Sequence, residues 1–102
     1  MTLEEAMVTV WREALVEGQA GIELEGRKFV VRETPRKRLR EVDFKFDGRA
    51  LRGLEQNPKT GSRWAELARA GHKVMQFLEA GRYIGVVVDG KVTMYGGKRR
   101  PS

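Results

Sequence analysis

The 102-residue chain contains no cysteine and a single histidine, His72. The lack of cysteine excludes disulfides, thiolate nucleophiles and cysteine-ligated zinc. One histidine cannot hold a metal ion by itself, and we expect neither a metal nor a cofactor. No serine or threonine stands in a nucleophile-elbow context, and no glycine-rich loop has phosphate-binding spacing. The sequence therefore predicts a protein that is not an enzyme and has no catalytic residues.

Long apolar runs are absent as well, since none approaches the roughly 18 residues needed to cross a bilayer. Glu4 and Glu5 stand where a signal peptide would carry basic residues. We therefore expect a soluble cytoplasmic protein with no membrane partner. The length fits one domain, which we assign to residues 1–95, and the basic residues 96–102 are expected to form a flexible tail.

Positive charge is abundant and unevenly distributed along the chain. The formal net charge is +6, from 20 basic and 14 acidic residues. Residues 1–26 carry a charge of −5, residues 27–73 carry +8 and residues 74–102 carry +3. Because each Lys or Arg that neutralises a phosphate releases a condensed counterion, a basic stretch beside an acidic one is typical of a nucleic-acid-facing surface. Chance clustering of solvated charges is the alternative.

The N-terminal segment has the pattern of an amphipathic helix. Thr2 and Glu5 have capping-box spacing, and apolar residues then recur at helical intervals until Gly18. This predicts a helix over residues 3–17 with a mostly acidic outer face. Trp11 lies on the apolar stripe, so we expect it in the core.

Hairpins account for much of the remaining chain. Glu25-Gly26 separates two short apolar segments, and Asp47-Gly48 joins an alternating strand that begins at Val42 to residues 49–55. The two-residue turn places Phe44 opposite Leu51, Asp43 opposite Arg52 and Val42 opposite Gly53. A further hairpin turns at Asp89-Gly90, and its consecutive valines predict a strand that is covered on both faces.

A second helix is predicted between the hairpins. Ser62 is a suitable N-cap for a helix through Ala70, and Gly71 stands where a C′ glycine ends a helix. For residues 73–78 we favour a strand over a continued helix, because Gly71 interrupts the helical period. The chain therefore predicts an α+β domain, an antiparallel sheet of five or six strands with an N-terminal helix and an inserted second helix.

The basic segment also contains aromatic residues, and this combination is typical of single-strand binding, in which cations follow phosphates and rings stack on bases. For each ring the alternative is burial in the core. Sequence specificity should be low, because phosphate-binding groups outnumber base-reading ones. The predicted nucleic-acid-binding residues are Arg36, Lys37, Arg38, Arg40, Phe44, Lys45, Phe46, Lys59, Arg63 and Trp64.

Two other functions remain open from the residues. One is a module that binds structured RNA or hairpin loops by shape. The other is a metal-dependent nuclease, since Asp43 and Lys45 have an acidic-x-Lys spacing that such enzymes place on a strand. An ion pair between Asp43 and the opposing Arg52 is the simpler account of that carboxylate.

Four segments carry a resemblance to a known family: GLEQNP at 53–58, SRWAELA at 62–68, VMQF at 74–77 and GVVVDGKV at 85–92. Over about residues 42–95 the chain resembles the ThermoDBP and ThermoDBP-related proteins of thermophilic archaea. The resemblance implies a single-stranded DNA- or RNA-binding protein without an OB-fold, with helices flanking an antiparallel sheet and a hydrophobic cleft edged by basic residues. This chain lacks the C-terminal heptad segment by which ThermoDBP dimerises, so a homodimer or a higher homo-oligomer is left open.

Overall fold

A computed structural model describes residues 1–95, and the predicted tail at 96–102 lies outside them. The described part is α+β, as predicted, and its antiparallel sheet has seven strands where five or six were expected. The elements are helix α1 (Leu3–Trp11) with a π-helical continuation (Arg12–Val16), strands β1 (Gly21–Leu24), β2 (Arg27–Glu33), β3 (Arg40–Phe46) and β4 (Arg49–Glu55), helix α2 (Arg63–Arg69), and strands β5 (Val74–Glu79), β6 (Arg82–Val88) and β7 (Lys91–Met94). Within residues 1–95, no helix has the length and apolarity required to cross a membrane.

The strands are paired in the order of the chain, from β1 at one edge to β7 at the other. Three tight turns, at 25–26, 47–48 and 80–81, therefore lie at one end of the sheet, which we call the hairpin end. The loop at 34–39, the segment that contains α2 and the turn at 89–90 lie at the other end, the loop end. The predicted register of the β3–β4 hairpin is confirmed at all three pairs. Asp47 and Gly48 both have positive φ, 53° and 75°, as a type I′ turn requires.

Helix α1 packs against one face of the sheet and supplies much of the core. Thr2 and Glu5 form the predicted capping box, and Trp11 is buried, as expected. Gly53 leaves room for side chains of β5, because a Cβ at this position would lie 2.9 Å from Met75 Sδ and 3.0 Å from Phe77 Cε2, with Val10 Cγ1 of α1 at 3.4 Å. The space that this glycine leaves opposite Val42 is thus filled from within the chain.

Helix α2 covers part of the opposite face. It begins at Ser62, whose side chain accepts a hydrogen bond from Ala65 N, and it ends where Gly71 adopts a φ of 102°. Ala65 is fully buried, and Val86 and Val87 are both fully buried although they point to opposite faces of β6. The prediction of a doubly covered strand is therefore confirmed.

Strands β2–β4 are left open on the face that α2 partly covers. Alternate residues of these strands are exposed there, among them Asp43, Lys45 and Arg52. Within residues 1–95, α1 packs on the other face of the sheet, and the main sheet contact of α2 is with β5. We call this surface the open face.

Candidate nucleic-acid interface

A cleft of about 500 Å³ opens on the open face near the hairpin end. Strand β2 is paired with β3 only at Val31–Glu33, and its first half pairs with β1 instead. The cleft lies beside this unpaired half of β2. Its lining residues come from β2, β3, β4, the end of β5 and the following turn: Arg27, Phe29, Asp43, Phe44, Lys45, Ala50, Leu51, Arg52, Leu78, Ala80 and Gly81.

The cleft combines apolar walls with cationic groups. The rings of Phe29 and Phe44 meet edge to face with their centroids 6.4 Å apart. The Arg27 guanidinium carbon lies 5.8 Å from the centroid of the Phe29 ring. Lys45 and Arg52, both exposed, contribute two further cations to the lining. This pairing of apolar surface with positive charge suits a ligand that carries both a flat apolar group and an anion.

Asp43 is the single acidic residue in the lining, and two arginines hold its carboxylate. Its Oδ1 accepts a hydrogen bond of 2.7 Å from Arg52 Nε. Its Oδ2 accepts one of 2.8 Å from Arg32 Nη2. The hydrogen bond from Arg52 is the main cause that lowers the pKa of Asp43, and the bond from Arg32 adds to it. The cluster of these three residues, which we call the Arg–Asp–Arg cluster, carries a net charge of +1.

Two of the predicted aromatic residues belong to the core. Phe44 is 2% exposed and Phe46 is 8% exposed, so little of either ring is available for stacking on a base. Phe44 still contributes to the wall of the cleft, whereas Phe46 lies near the start of α1, beside Leu3 and Arg49. The period of two identified their shared face correctly, and that face is buried in the core, where the Phe44 ring meets Phe29 and Phe77. Lys45 points to the opposite side of β3, where it is exposed and lines the cleft.

The four residues of the predicted basic run at 36–40 do not share one environment, because the first three lie in the loop and Arg40 begins β3. Arg36, Lys37 and Arg38 are exposed in the loop at 34–39, where Arg38 lies 3.6 Å from Glu33. Arg40 does not join them: its Nη1 donates to the carbonyls of Ala14 at 2.9 Å and Leu15 at 3.4 Å. Those carbonyls end the first helical segment, so Arg40 stabilises a helix terminus and is not directed towards a ligand.

The other three predicted residues lie on the segment between β4 and β5. Lys59 and Arg63 are exposed, and Trp64 is half-buried. The Arg63 guanidinium carbon is 4.8 Å from the centroid of the Trp64 ring, a cation–π arrangement that occupies part of the ring's surface. The structure thus places Lys45 in the cleft, whereas the three loop cations and the group of Lys59, Arg63 and Trp64 lie on two different connecting segments at the loop end.

Several residues of the cleft were missed by the sequence reasoning. Arg27 and Phe29 share a face through the period of two, and this signal was available in the sequence. Arg32 is not part of the lining but contacts Asp43, and the sequence gave no signal for this contact, because it depends on the β2–β3 pairing. Arg52 was predicted as the partner of Asp43 but not as part of a binding surface.

The geometry around Asp43 does not support a metal-dependent nuclease. Both oxygens of Asp43 are engaged by guanidinium groups. In the part of the chain that the structure describes, no group of three His, Asp or Glu side chains is close enough to hold a metal ion. His72, which has no acidic neighbour in sequence, instead meets Asp89 at the loop end, with 2.5 Å between Nδ1 and Oδ2.

Comparison of the chain with family models, with curated proteins and with solved structures finds no significant match.

Proposed function

We propose that this protein binds single-stranded nucleic acid, DNA in the first place, with low sequence specificity. The observation that carries the proposal is the cleft on the open face, in which Phe29 and Leu78 lie beside Arg27, Lys45 and Arg52. Bases enter the cleft, and phosphates follow the cations along its edge and towards the loop at 34–39.

The chemistry of the cleft favours a single strand over a duplex. A stacked or apolar contact with an unpaired base contributes roughly 1–3 kcal/mol, and every base offers such a face. In a duplex these faces are covered by neighbouring base pairs, so only the phosphates remain to be bound. The volume of about 500 Å³ falls within the usual range for small-ligand sites, about 300–1,000 Å³.

Low specificity follows from the kind of groups present. Arg27, Lys45 and the cations of the loop at 34–39 suit phosphates, which carry no sequence information. The resemblance of residues 42–95 to the ThermoDBP proteins supports the same function, because that family pairs a hydrophobic cleft with basic edges.

Fluorescence anisotropy of a labelled oligo-dT strand, titrated at two salt concentrations, tests this proposal. We expect binding that weakens as salt increases, because bound cations release counterions from the strand. Unlabelled oligo-dT should compete better than duplex DNA or an RNA hairpin. No binding at low salt, or better competition by the RNA hairpin, would contradict the proposal.

A matched pair of variants locates the surface. Lys45→Gln removes a cation from the cleft, and we expect about three- to tenfold weaker binding. Arg12→Gln removes one from the helical side of the molecule, where Arg12 is paired with Glu17. We expect its affinity to stay close to wild type. Equal losses in the two variants would mean that general charge, and not the cleft, controls binding.

A further inference from the structure

We infer that Asp43 is a positioning residue, which holds Arg32 and Arg52 as a pair of phosphate-binding guanidinium groups beside the cleft. This inference rests on the proposed function and adds to it a role for an acidic residue. A carboxylate on a surface that binds a polyanion otherwise works against binding.

The geometry of the Arg–Asp–Arg cluster leaves donors free on both arginines. Arg52 lies opposite Asp43 across the β3–β4 pair and contacts it through Nε and Nη2, at 2.7 and 3.4 Å. Arg32 contacts it through Nη2 alone. A guanidinium has five N–H groups. Within residues 1–95, neither arginine donates a hydrogen bond to any other group, so most of these N–H groups remain available to a phosphate.

The exposure of the cluster argues that its main effect is not on stability. The side chains of Arg32, Asp43 and Arg52 are 51%, 48% and 50% exposed. Ion pairs at this exposure contribute little to folding, because water screens them and ordering long side chains costs entropy. That same ordering is useful for binding, because a guanidinium already held in place loses less freedom when a phosphate arrives.

A pure charge effect and a positioning effect predict opposite changes in nucleic-acid affinity for one substitution at Asp43. Asp43→Asn removes a negative charge from the binding surface, so charge alone predicts tighter binding. If Asp43 orders the two guanidinium groups, the same change weakens binding. Because Arg52 and Arg32 lower the pKa of Asp43, this residue is ionised throughout the neutral pH range in which binding is compared.

Glu41 provides the matched control. It lies two residues before Asp43 on the same face of β3, and its neighbours across the sheet are Arg32 and Leu54. In the described part of the chain its side chain forms no ion pair or hydrogen bond. Glu41→Gln therefore removes one negative charge from the open face without releasing an arginine, and it should bind oligo-dT slightly more tightly than wild type.

The experiment compares oligo-dT affinity in wild type, Asp43→Asn and Glu41→Gln, with thermal melts to confirm folding. We expect Asp43→Asn to bind about three- to tenfold more weakly than wild type, because the two guanidinium groups are no longer held in place before the phosphate arrives. In an Arg32→Gln/Arg52→Gln background, Asp43→Asn should cause no further weakening. Tighter binding by Asp43→Asn, equal to that of Glu41→Gln, would overturn the inference, as would an undiminished effect in the double-arginine background.

A second measurement separates this inference from the proposed function. Inorganic phosphate is titrated into the free protein while the Nε–H signals of Arg32 and Arg52 are followed by NMR. We expect both signals to shift in wild type, and to broaden and respond less in Asp43→Asn. If phosphate shifts these NMR signals but oligo-dT does not bind, the proposed function is contradicted and the anion site at Arg32 and Arg52 is supported. Strong oligo-dT binding with no response of either arginine signal to phosphate would support the proposed function and overturn the inference about Asp43.

Discussion

The indole Nε1 of Trp11 donates a hydrogen bond of 2.9 Å to the carbonyl of Lys73, 62 residues further along the chain. Trp11 closes α1, and Lys73 immediately precedes β5. This one bond therefore joins the end of the first helix to the loop end of the sheet. It also gives the buried indole the polar partner that tryptophan needs in a core.

Replacing Trp11 by Phe should destabilise the fold without changing nucleic-acid binding. The change removes the hydrogen bond, leaves the Lys73 carbonyl without this donor and reduces packing, so we expect a loss of about 1–3 kcal/mol in the free energy of unfolding. Urea unfolding measures this loss, and oligo-dT titration below the unfolding transition measures binding. A variant of wild-type stability would show that the bond contributes nothing to the fold.

Gly53→Ala should be destabilising because its surroundings are already filled. The added Cβ would lie 2.9 Å from Met75 Sδ and 3.0 Å from Phe77 Cε2, so these core side chains have to shift. Overpacking of this kind costs about 1–3 kcal/mol. Gly61→Ala is the control, since no atom lies within 4 Å of its added Cβ. Thermal denaturation should separate the two variants clearly, and similar melting temperatures would contradict the close packing of Met75 and Phe77 against Gly53.

The three exposed cations of the loop at 34–39 should contribute to the salt dependence of binding. Replacing Arg36, Lys37 and Arg38 together by Gln should reduce the magnitude of the slope of log affinity against log salt by up to about 2. The affinity at low salt should fall, and the preference for single strands should persist, because the cleft is unchanged. Anisotropy titrations at four or more salt concentrations give the slope. An unchanged slope would place the bound strand away from the loop end.

Asp89 should make the fold sensitive to acid. The hydrogen bond from His72 is the main cause that lowers its pKa from the ordinary value of 3.8, and a hydrogen bond from Lys73 N adds to the effect. A carboxyl whose pKa is lowered by folding stabilises the native state above its unfolded-state pKa. That contribution declines as the pH falls through 3.8 and is lost below the folded-state pKa.

Asp89→Asn tests this pH dependence. The variant should be less stable than wild type at pH 6, and the two should converge as the pH falls below the ordinary carboxyl value. Because the pair is about half exposed, we expect a small difference. Urea unfolding at pH 6 and pH 3 measures it. A difference that grows as the pH falls would assign the effect to another group.

The sequence predicted the hairpins well because their geometry is local. A two-residue turn at Asp47-Gly48 leaves a single register for its strands, so the facing of Asp43 and Arg52 follows from a few adjacent residues. The helix caps at Thr2 and Ser62 were predictable for the same reason. Each depends on a hydrogen bond between residues three apart in the chain.

The cleft could not be predicted in this way, because it depends on distant pairing. The cleft lies where the pairing of β2 with β3 stops. Those two strands are joined by an irregular loop, in which Arg38 has a φ of 56°, so their register does not follow from a short turn. The role of Arg40 was unpredictable for the same reason. Its side chain donates to carbonyls of residues 25 and 26 positions earlier in the chain, and the sequence does not reveal that contact. For Phe44 and Phe46, alternation identified a shared face without showing that this face is buried in the core.

The order of the strands bears on how the chain reaches its folded state. Every sheet pairing joins neighbours in sequence, so each strand can add to the one before it with little loop-closure cost. Helix α1 is different, because it contacts both β1 and β4–β7. This helix, which precedes all seven strands in the sequence, therefore cannot bury its whole apolar side until β7 has formed. We expect this docking to be the slow step of refolding, visible as a late change in Trp11 fluorescence in a Trp64→Phe background.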